Sequence, residues 1–145
     1  MRVVVPHAPG MLTEHTRLAV PEAEFVEVLG AAGYGELVQR LWDAGEPFAV
    51  VEQDVVPWPG ALRALEECSG AWCAYAYGAE NLRTGCVYLG CTRFRPADLG
   101  PVWVSGLPWS VIDCSLTEQL RARGREVCQH RPSVSNLNSR CEVSR

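Results

Sequence analysis

One stretch of the sequence, residues 48–62, constrains the fold more than any other part of the chain. An apolar, β-branched run predicts a buried strand over residues 48–52, and a proline-rich turn then leads towards a helix. The strand ends in two acids, Glu52 and Asp54, and open α/β sheets bind their ligands at the carboxyl ends of strands. Alternate strand positions point to the same side of the pleat. The pattern therefore predicts that the two carboxylates share one metal ion or one hydroxylated ligand.

Predicted strands and helices alternate along the rest of the chain. Strands are expected over residues 2–5, 24–28, 72–77, 86–89 and 126–129, and helices over 36–44, from Pro59 onwards and over 110–123, with one helical turn at 96–99. This order predicts an α/β protein with a three-layer, Rossmann-like mixed sheet and helices on both faces. The length fits one domain over residues 1–138, and the polar residues 139–145 are expected to form a flexible tail. The sequence has neither a Gly-x-Gly-x-x-Gly motif nor a P-loop, so the ordinary phosphate-binding motifs are missing.

Composition argues against several classes of protein. The chain has 145 residues and a net charge of −4, whereas a nucleic-acid-binding protein is expected to carry a concentrated basic face. No stretch provides the roughly 20 apolar residues that a membrane-spanning helix needs. The apolar run after Arg2 stops at Pro6, which is too short for the core of a signal peptide. The sequence therefore predicts a cytoplasmic protein without a membrane span.

Seven cysteines are present, but their spacing contains no Cys-x-x-Cys pair. Most of them lie in apolar runs, which predicts buried free thiols in a reducing cytosol. Cys128 and His130 are separated by one residue and alone provide too few ligands for a zinc site, which takes four. A structural metal protein that uses Cys128, His130 and other thiols is one alternative for the function.

Three segments carry a resemblance to a known family. Residues 50–57 (Val-Val-Glu-Gln-Asp-Val-Val-Pro), followed by Pro-Gly-Ala-Leu at 59–62, resemble the Asp-x-Asp segment of glycosyltransferases with the A-type fold. Residues 3–7 are similar to the first strand and base-binding loop of that family. Residues 109–116 resemble its segment that places an acid near the acceptor at a helix start. Overall, the chain most resembles small glycosyltransferase-like proteins encoded by phages and actinobacteria.

The resemblance implies a metal-dependent transfer of a sugar from a nucleotide-diphosphate donor to an acceptor hydroxyl, in the host cytoplasm if the protein is phage-encoded. Asp54 would bind Mn²⁺ or Mg²⁺ directly, and Glu52 would bind a ribose hydroxyl or a metal-bound water. His130 would be a further metal ligand, because the family often uses a late histidine. Asp113 is the candidate general base. The plainer alternatives are a solvated turn for the two acids and a favourable helix start for Asp113.

The same resemblance suggests where the donor and its partners bind. Pro6 and His7 would line the nucleobase pocket, and Arg93 would contact the donor phosphates. Among the loop tryptophans, Trp109 is expected to stack on the ligand because it is close to Asp113. The acceptor is not defined by the sequence, and so short a chain would gain from a homodimer that completes the acceptor site. A non-catalytic module that binds a nucleotide or a sugar is the alternative function.

Overall fold

A six-stranded mixed sheet forms the centre of the structure, a computed structural model that describes residues 1–75, 85–131 and 134–137. The strands are β1 (Arg2–His7), β2 (Glu24–Glu27), β3 (Phe48–Val51), β4 (Val55–Pro57), β5 (Trp72–Tyr75), β6 (Cys91–Phe94), β7 (Cys128–His130) and β8 (Val134–Asn136). The helices are α1 (Glu14–Ala19), α2 (Gly33–Asp43), α3 (Ala61–Glu67), α4 (Pro96–Leu99) and α5 (Trp109–Arg121). The predicted α/β class with a mixed sheet is therefore confirmed.

The strand order of the large sheet is β2-β1-β3-β6-β5-β7, and β4 pairs with β8 in a separate two-stranded sheet. Strands β2, β1 and β3 are parallel, β6 runs antiparallel to both β3 and β5, and β7 is parallel to β5. It follows that β1, β2, β3, β5 and β7 all end at the same edge of the sheet, whereas β6 ends at the opposite edge.

Two hydrophobic cores cover the two faces of this sheet. On one face, Trp42 of α2 and Ile112 of α5 pack with strand residues that include Phe48, Trp72 and Phe94. On the other face, Ala61 and Leu65 of α3 pack with a second set of strand residues, which includes Cys73, Tyr75 and Cys91. Neighbouring residues of β5 thus enter opposite cores, as the alternation of side chains along a strand requires.

Helix α2 packs closely against the loop that precedes α5 and is hydrogen-bonded to it. A methyl group at Gly35 would overlap the carbonyl oxygens of Val104 and Leu107, so this position accepts no side chain. From the same helix, the Gln39 side chain accepts a hydrogen bond from the Val104 N–H at 2.8 Å and donates one to the Val102 carbonyl at 3.2 Å. The loop and the start of α5 are therefore held at a fixed position relative to α2.

The prediction of a strand over residues 86–89 is wrong, and the strand in this part of the chain is β6. The N–H of Val87 donates to the Thr117 hydroxyl at 2.8 Å, and the N–H of Leu89 donates to the Asp113 carboxylate at 3.3 Å. Backbone donors of the segment thus bind side chains of α5 instead of a neighbouring strand. Its apolar character comes from burial beneath that helix, which a sequence pattern does not distinguish from a buried strand.

Two predicted helix starts also differ from the structure. Pro59 lies before α3 and not in its first turn, because Gly60 caps the helix with a positive φ of 86°. Helix α5 begins at Trp109, one residue before the predicted start, and follows Pro108 without a side-chain cap. The predicted tail at 139–145 and the end of the predicted strand at 76–77 lie outside the described residues.

The expectation of free thiols is corrected for two cysteines. Cys86 and Cys114 form a disulfide across a sequence separation of 28 residues, which ties the segment before β6 to α5. Among the described residues, the free cysteines are Cys68, Cys73, Cys91 and Cys128.

Helices long and apolar enough to span a membrane are absent from the described parts of the chain. The cytoplasmic location stays a prediction.

We expect reduction of this disulfide to lower the free energy of unfolding by about 2–4 kcal/mol, because the bridge restricts the unfolded chain. Urea unfolding with and without a thiol reductant measures the effect. The double variant Cys86→Ser/Cys114→Ser is the control, and the reductant should leave its stability unchanged. A wild-type protein that is equally stable under both conditions would contradict the prediction.

Candidate functional site

A cavity of about 680 Å³ opens at the edge of the sheet where the parallel strands β1, β2 and β3 end. This volume lies within the range of about 300–1,000 Å³ that is typical of small-molecule sites. Most of the lining is apolar, and the polar groups are concentrated after β3. The cavity is lined by Pro6, His7, Ala8, Pro9, Met11, Val28, Gly30, Ala31, Tyr34, Glu52, Gln53, Asp54 and Trp109.

The topology explains why a cavity forms at this point. The chain leaves β1 towards β2 on one side and leaves β3 towards β5 and β6 on the other. The loops that follow β1 and β3 therefore diverge, and a crevice opens between them. Open α/β sheets bind ligands in such crevices, at the carboxyl ends of the strands.

The two acids lie in a tight turn and not on alternate strand positions, which corrects the predicted geometry. Strand β3 ends at Val51, and the N–H of Val55 donates to the Glu52 carbonyl at 3.0 Å, which closes a turn over residues 52–55. Both Glu52 and Asp54 nevertheless line the same cavity. Their shared position comes from the turn and not from the pleat of a strand.

Gln53, which the sequence reasoning did not single out, connects this turn to the loop after β1. Its side-chain oxygen accepts a hydrogen bond from the Ala8 N–H at 2.8 Å. Its carbonyl oxygen accepts a second one from the Thr13 N–H at 3.2 Å. Gln53 therefore holds the two loops of the crevice together, and its place between two acids is the signal in the sequence that points to it.

Two aromatic residues form another wall of the cavity. Tyr34, near the start of α2, donates a hydrogen bond from its hydroxyl to Oε1 of Glu52 at 3.5 Å. Trp109 begins α5, and its N–H donates to the Ala31 carbonyl at 3.0 Å, while its side chain is 64% exposed. An exposed indole at a cavity wall offers a flat surface on which a base or a sugar ring can stack.

Asp113 follows Trp109 by one helical turn but is not among the residues that line the cavity. Burial raises the pKa of its carboxyl to about 7, although the hydrogen bond from the Leu89 N–H acts in the opposite direction. The next residue, Gly90, accepts a hydrogen bond from the Glu52 N–H at 2.9 Å. One short backbone segment therefore joins Asp113 to the turn over residues 52–55, which is called the acidic turn below.

Arg93 is not brought to the cavity. It lies on β6 and is only 1% exposed, and its guanidinium donates to the carbonyls of Cys68 and Gly70 and to Sγ of Cys73. The reason is the direction of the strand. Because β6 is antiparallel to β3, its later residues approach the edge of the sheet opposite to the cavity.

His130 is placed with thiols and not with the acidic turn. Its ring lies next to Tyr75, and one nitrogen of the ring lies within 4.8 Å of the Sγ atoms of Cys68, Cys73 and Cys128. These four residues are called the Cys₃His cluster below. In the described parts of the chain, no other group of three or more His, Cys, Asp or Glu side chains is arranged to hold a metal ion.

The thiols of the cluster differ in acidity. Burial works to raise the pKa of Cys68, but opposing effects, of which the hydrogen bonds from Cys73 and the Gly70 backbone are the largest, lower that pKa to about 6. Burial and the hydrogen bond with Cys68 raise the pKa of Cys73 to about 12. The hydrogen bond with Cys68 and burial also raise the pKa of Cys128. The cluster thus favours a negative charge on one sulfur.

Comparisons with known proteins show no family for this chain. No protein-family model and no curated protein matches the chain. Among solved structures, the chain is similar to the crystal structure of A197 from STIV, with a TM-score of 0.44 and 16% sequence identity. The similarity covers 66% of this chain and 65% of that chain, so it extends over slightly less than two thirds of that protein.

Proposed function

We propose that this protein is a metal-dependent glycosyltransferase with a minimal A-type fold, which moves a sugar from a nucleotide-diphosphate donor to an acceptor hydroxyl. One observation carries the proposal. Five residues that the sequence assigned to donor or metal binding come from three separate segments and line a single cavity. They are Pro6, His7, Glu52, Asp54 and Trp109.

The lining of the cavity suits a nucleotide sugar. Pro6, Pro9 and Val28 provide apolar contact for a base, and Tyr34 and Trp109 provide aromatic surface for a base or a sugar. The acidic turn supplies the polar groups at one end. A cavity that is mostly apolar, with a few polar groups that fix orientation, is the usual form of a small-molecule site.

The acidic turn also fits a divalent cation. Glu52 and Asp54 offer carboxylate oxygens, which are the ligands that Mg²⁺ and Mn²⁺ prefer. Mg²⁺ often needs only one or two protein carboxylates, because phosphates and water complete its coordination shell. The proposal therefore does not need His130 as a ligand. A bound cation would neutralise charge on the departing diphosphate, an effect of several kcal/mol.

Asp113 is the proposed general base. The acceptor oxygen forms a bond to the anomeric carbon, the bond from that carbon to the diphosphate oxygen breaks, and the diphosphate leaves with the electron pair. The proton of the acceptor hydroxyl passes to the Asp113 carboxylate. With its pKa raised to about 7 by burial, this carboxyl is poised for proton transfer near neutral pH.

We expect nucleoside diphosphates and their sugars to stabilise the protein only in the presence of Mn²⁺ or Mg²⁺. A ligand at about 100 times its Kd adds about 2.7 kcal/mol, which for a chain of this size raises Tm by about 5–10 °C. Asp54→Ala should remove the shift, because the cation loses its protein ligand. Thermal-shift measurements over a panel of nucleoside diphosphates test this.

The matched control is Asp98→Ala, which removes an exposed carboxylate on α4 outside the cavity and should keep the full shift. A shift with bare nucleosides, or the same shift in Asp54→Ala, would count against the proposal.

A binding module without turnover is the second candidate. It is favoured by the position of Asp113, whose carboxylate accepts the Leu89 N–H and does not line the cavity. Such a module would use the same cavity and the same acidic turn but would not need a base. Turnover by Asp113 variants separates the two candidates.

A further inference from the structure

Four potential metal ligands from three elements meet on the face of the sheet that α3 covers. Cys68 caps the carboxyl end of α3, Cys73 lies on β5, and Cys128 and His130 lie on β7. The register of the parallel pair places Cys73 opposite Cys128. All four ligand atoms lie within 4.8 Å of one another, and the Sγ atoms of Cys68 and Cys128 are 3.4 Å apart.

We propose that the Cys₃His cluster binds one Zn²⁺ ion with tetrahedral coordination. Three thiolates and one imidazole are an established ligand set for structural zinc. Zinc–sulfur distances of about 2.3 Å and zinc–nitrogen distances of about 2.0 Å separate neighbouring ligand atoms by about 3.5–3.8 Å. The cluster is close to that size, so only small side-chain movements are needed to close it around the ion.

The histidine of the cluster has a buried nitrogen that accounts for the fourth ligand. Nε2 of His130 is buried, and it has no hydrogen-bond partner among the residues that the structure describes. A buried polar atom without a partner costs free energy, and nearly all such atoms in proteins are paired. The lone pair of a neutral imidazole nitrogen is also the group that binds zinc. A zinc ion bound to this nitrogen would satisfy it.

Arg93 supplies the charge that such a site needs. Three thiolates, one neutral imidazole and Zn²⁺ together carry one negative charge. The guanidinium of Arg93 is buried and donates to Sγ of Cys73 at 2.9 Å, and among the described residues no carboxylate forms an ion pair with it. Buried charges are normally paired or coordinate metals. The charge of Arg93 and that of the zinc site therefore compensate each other, and the hydrogen bond orients a ligand sulfur.

The segment between the first two cysteines is shaped to wrap closely around the cluster. A Cβ atom at Gly70 would lie 2.9 Å from Cβ of Cys128 and 3.1 Å from Sγ of Cys73. The absence of a side chain at this position lets the loop approach both ligands. The Gly70 carbonyl in turn accepts hydrogen bonds from Cys73 and Arg93.

The zinc would fasten the edge of the sheet. Strand β7 has only three residues, and among the described strands it pairs with β5 alone, so few contacts hold it in place. A metal bound to both ends of β7, to β5 and to α3 would hold this strand in register. This inference rests on the Cys₃His cluster and is independent of the proposed glycosyltransferase activity.

Metal analysis of the purified full-length chain tests the proposal. We expect about one zinc per chain, with loss of zinc in His130→Ala and in Cys68→Ser. His130→Cys should keep zinc, because it restores four ligands as a Cys₄ site. The matched control is Cys91→Ala, which removes a buried free thiol outside the cluster and should keep zinc in full.

Cobalt substitution of the wild-type chain gives a readout that does not depend on the folding of any variant. A tetrahedral site with three sulfurs should give a thiolate-to-cobalt charge-transfer band and intense visible d–d bands, which added zinc removes. Failure of the wild-type chain to bind cobalt or zinc would overturn the proposal, as would iron in place of zinc. Full zinc content in both His130→Ala and Cys68→Ser would also overturn it, as would a disulfide between Cys68 and Cys128 in the native protein.

Discussion

The variant Asp113→Asn is expected to lose turnover by about 10²–10⁴-fold while the affinity for the nucleotide-sugar donor stays unchanged. The amide cannot accept the proton of the acceptor hydroxyl. It can still accept the hydrogen bond that the Leu89 N–H donates to Asp113, so the local structure should be kept. Steady-state kinetics give kcat, and calorimetry with the donor gives Kd.

The pH profile adds a readout that a purely structural role would not change. Because a base acts in its deprotonated form and the pKa of Asp113 is raised to about 7, kcat should rise with pH and level off above neutrality. Glu118→Gln, which removes an exposed carboxylate from the same helix, should leave both kcat and its pH dependence intact. If Asp113→Asn retained normal turnover, Asp113 would be only the acceptor for Leu89.

Asp113→Asn is also expected to be more stable than the wild type at pH 8 by about 4 kcal/mol. The pKa of Asp113 differs by about three between the folded and unfolded states, and each pKa unit corresponds to 1.36 kcal/mol. In the folded protein the pKa of Asp113 is raised from 3.8 to about 7. The folded state thus holds the proton more tightly than the unfolded state. The resulting stabilisation is complete below about pH 4 and is lost progressively as the pH rises to about 7.

Urea unfolding of both proteins at pH 4.5 and pH 8 measures this difference. Asp113→Asn does not titrate, so the gap between variant and wild type should widen in favour of the variant as the pH increases. An equal gap at both pH values would show that the carboxyl titrates normally in the folded chain. A variant that is more stable but slower would be a trade-off between stability and activity at one position.

The cavity could be predicted from the sequence because it follows from local rules. An apolar strand that ends in acids, and a second strand that is followed by Pro6 and His7, define the edge where parallel strands bind ligands. The predicted local geometry of Glu52 and Asp54 was wrong, but their place at this edge did not depend on it. The end of a strand and the turn that follows it both lie at the same edge of the sheet. The short elements α1, β4 and β8 gave no periodic pattern, because three to six residues are too few.

The Cys₃His cluster could not be predicted from the sequence in the same way. Cys73 and Cys128 are neighbours only because β5 and β7 pair in parallel, a contact between distant parts of the chain that no local pattern encodes. The placement of Arg93 has a similar cause, since the antiparallel direction of β6 sends its side chain away from the cavity. A strand's direction within the sheet decides which residues share a site, and spacing along the sequence does not give it.

The close contact at Gly35 has a consequence for ligand selection. Because α2 carries Tyr34 and packs closely against the loop that leads to Trp109, the backbone that carries the aromatic wall is held in place before any ligand arrives. A preorganised wall loses little conformational entropy on binding, so ligands that match its shape bind more tightly than a mobile wall would allow. It also rejects molecules that need the wall to move. Discrimination among bases or sugars would then be set during folding, by a residue that touches none of them.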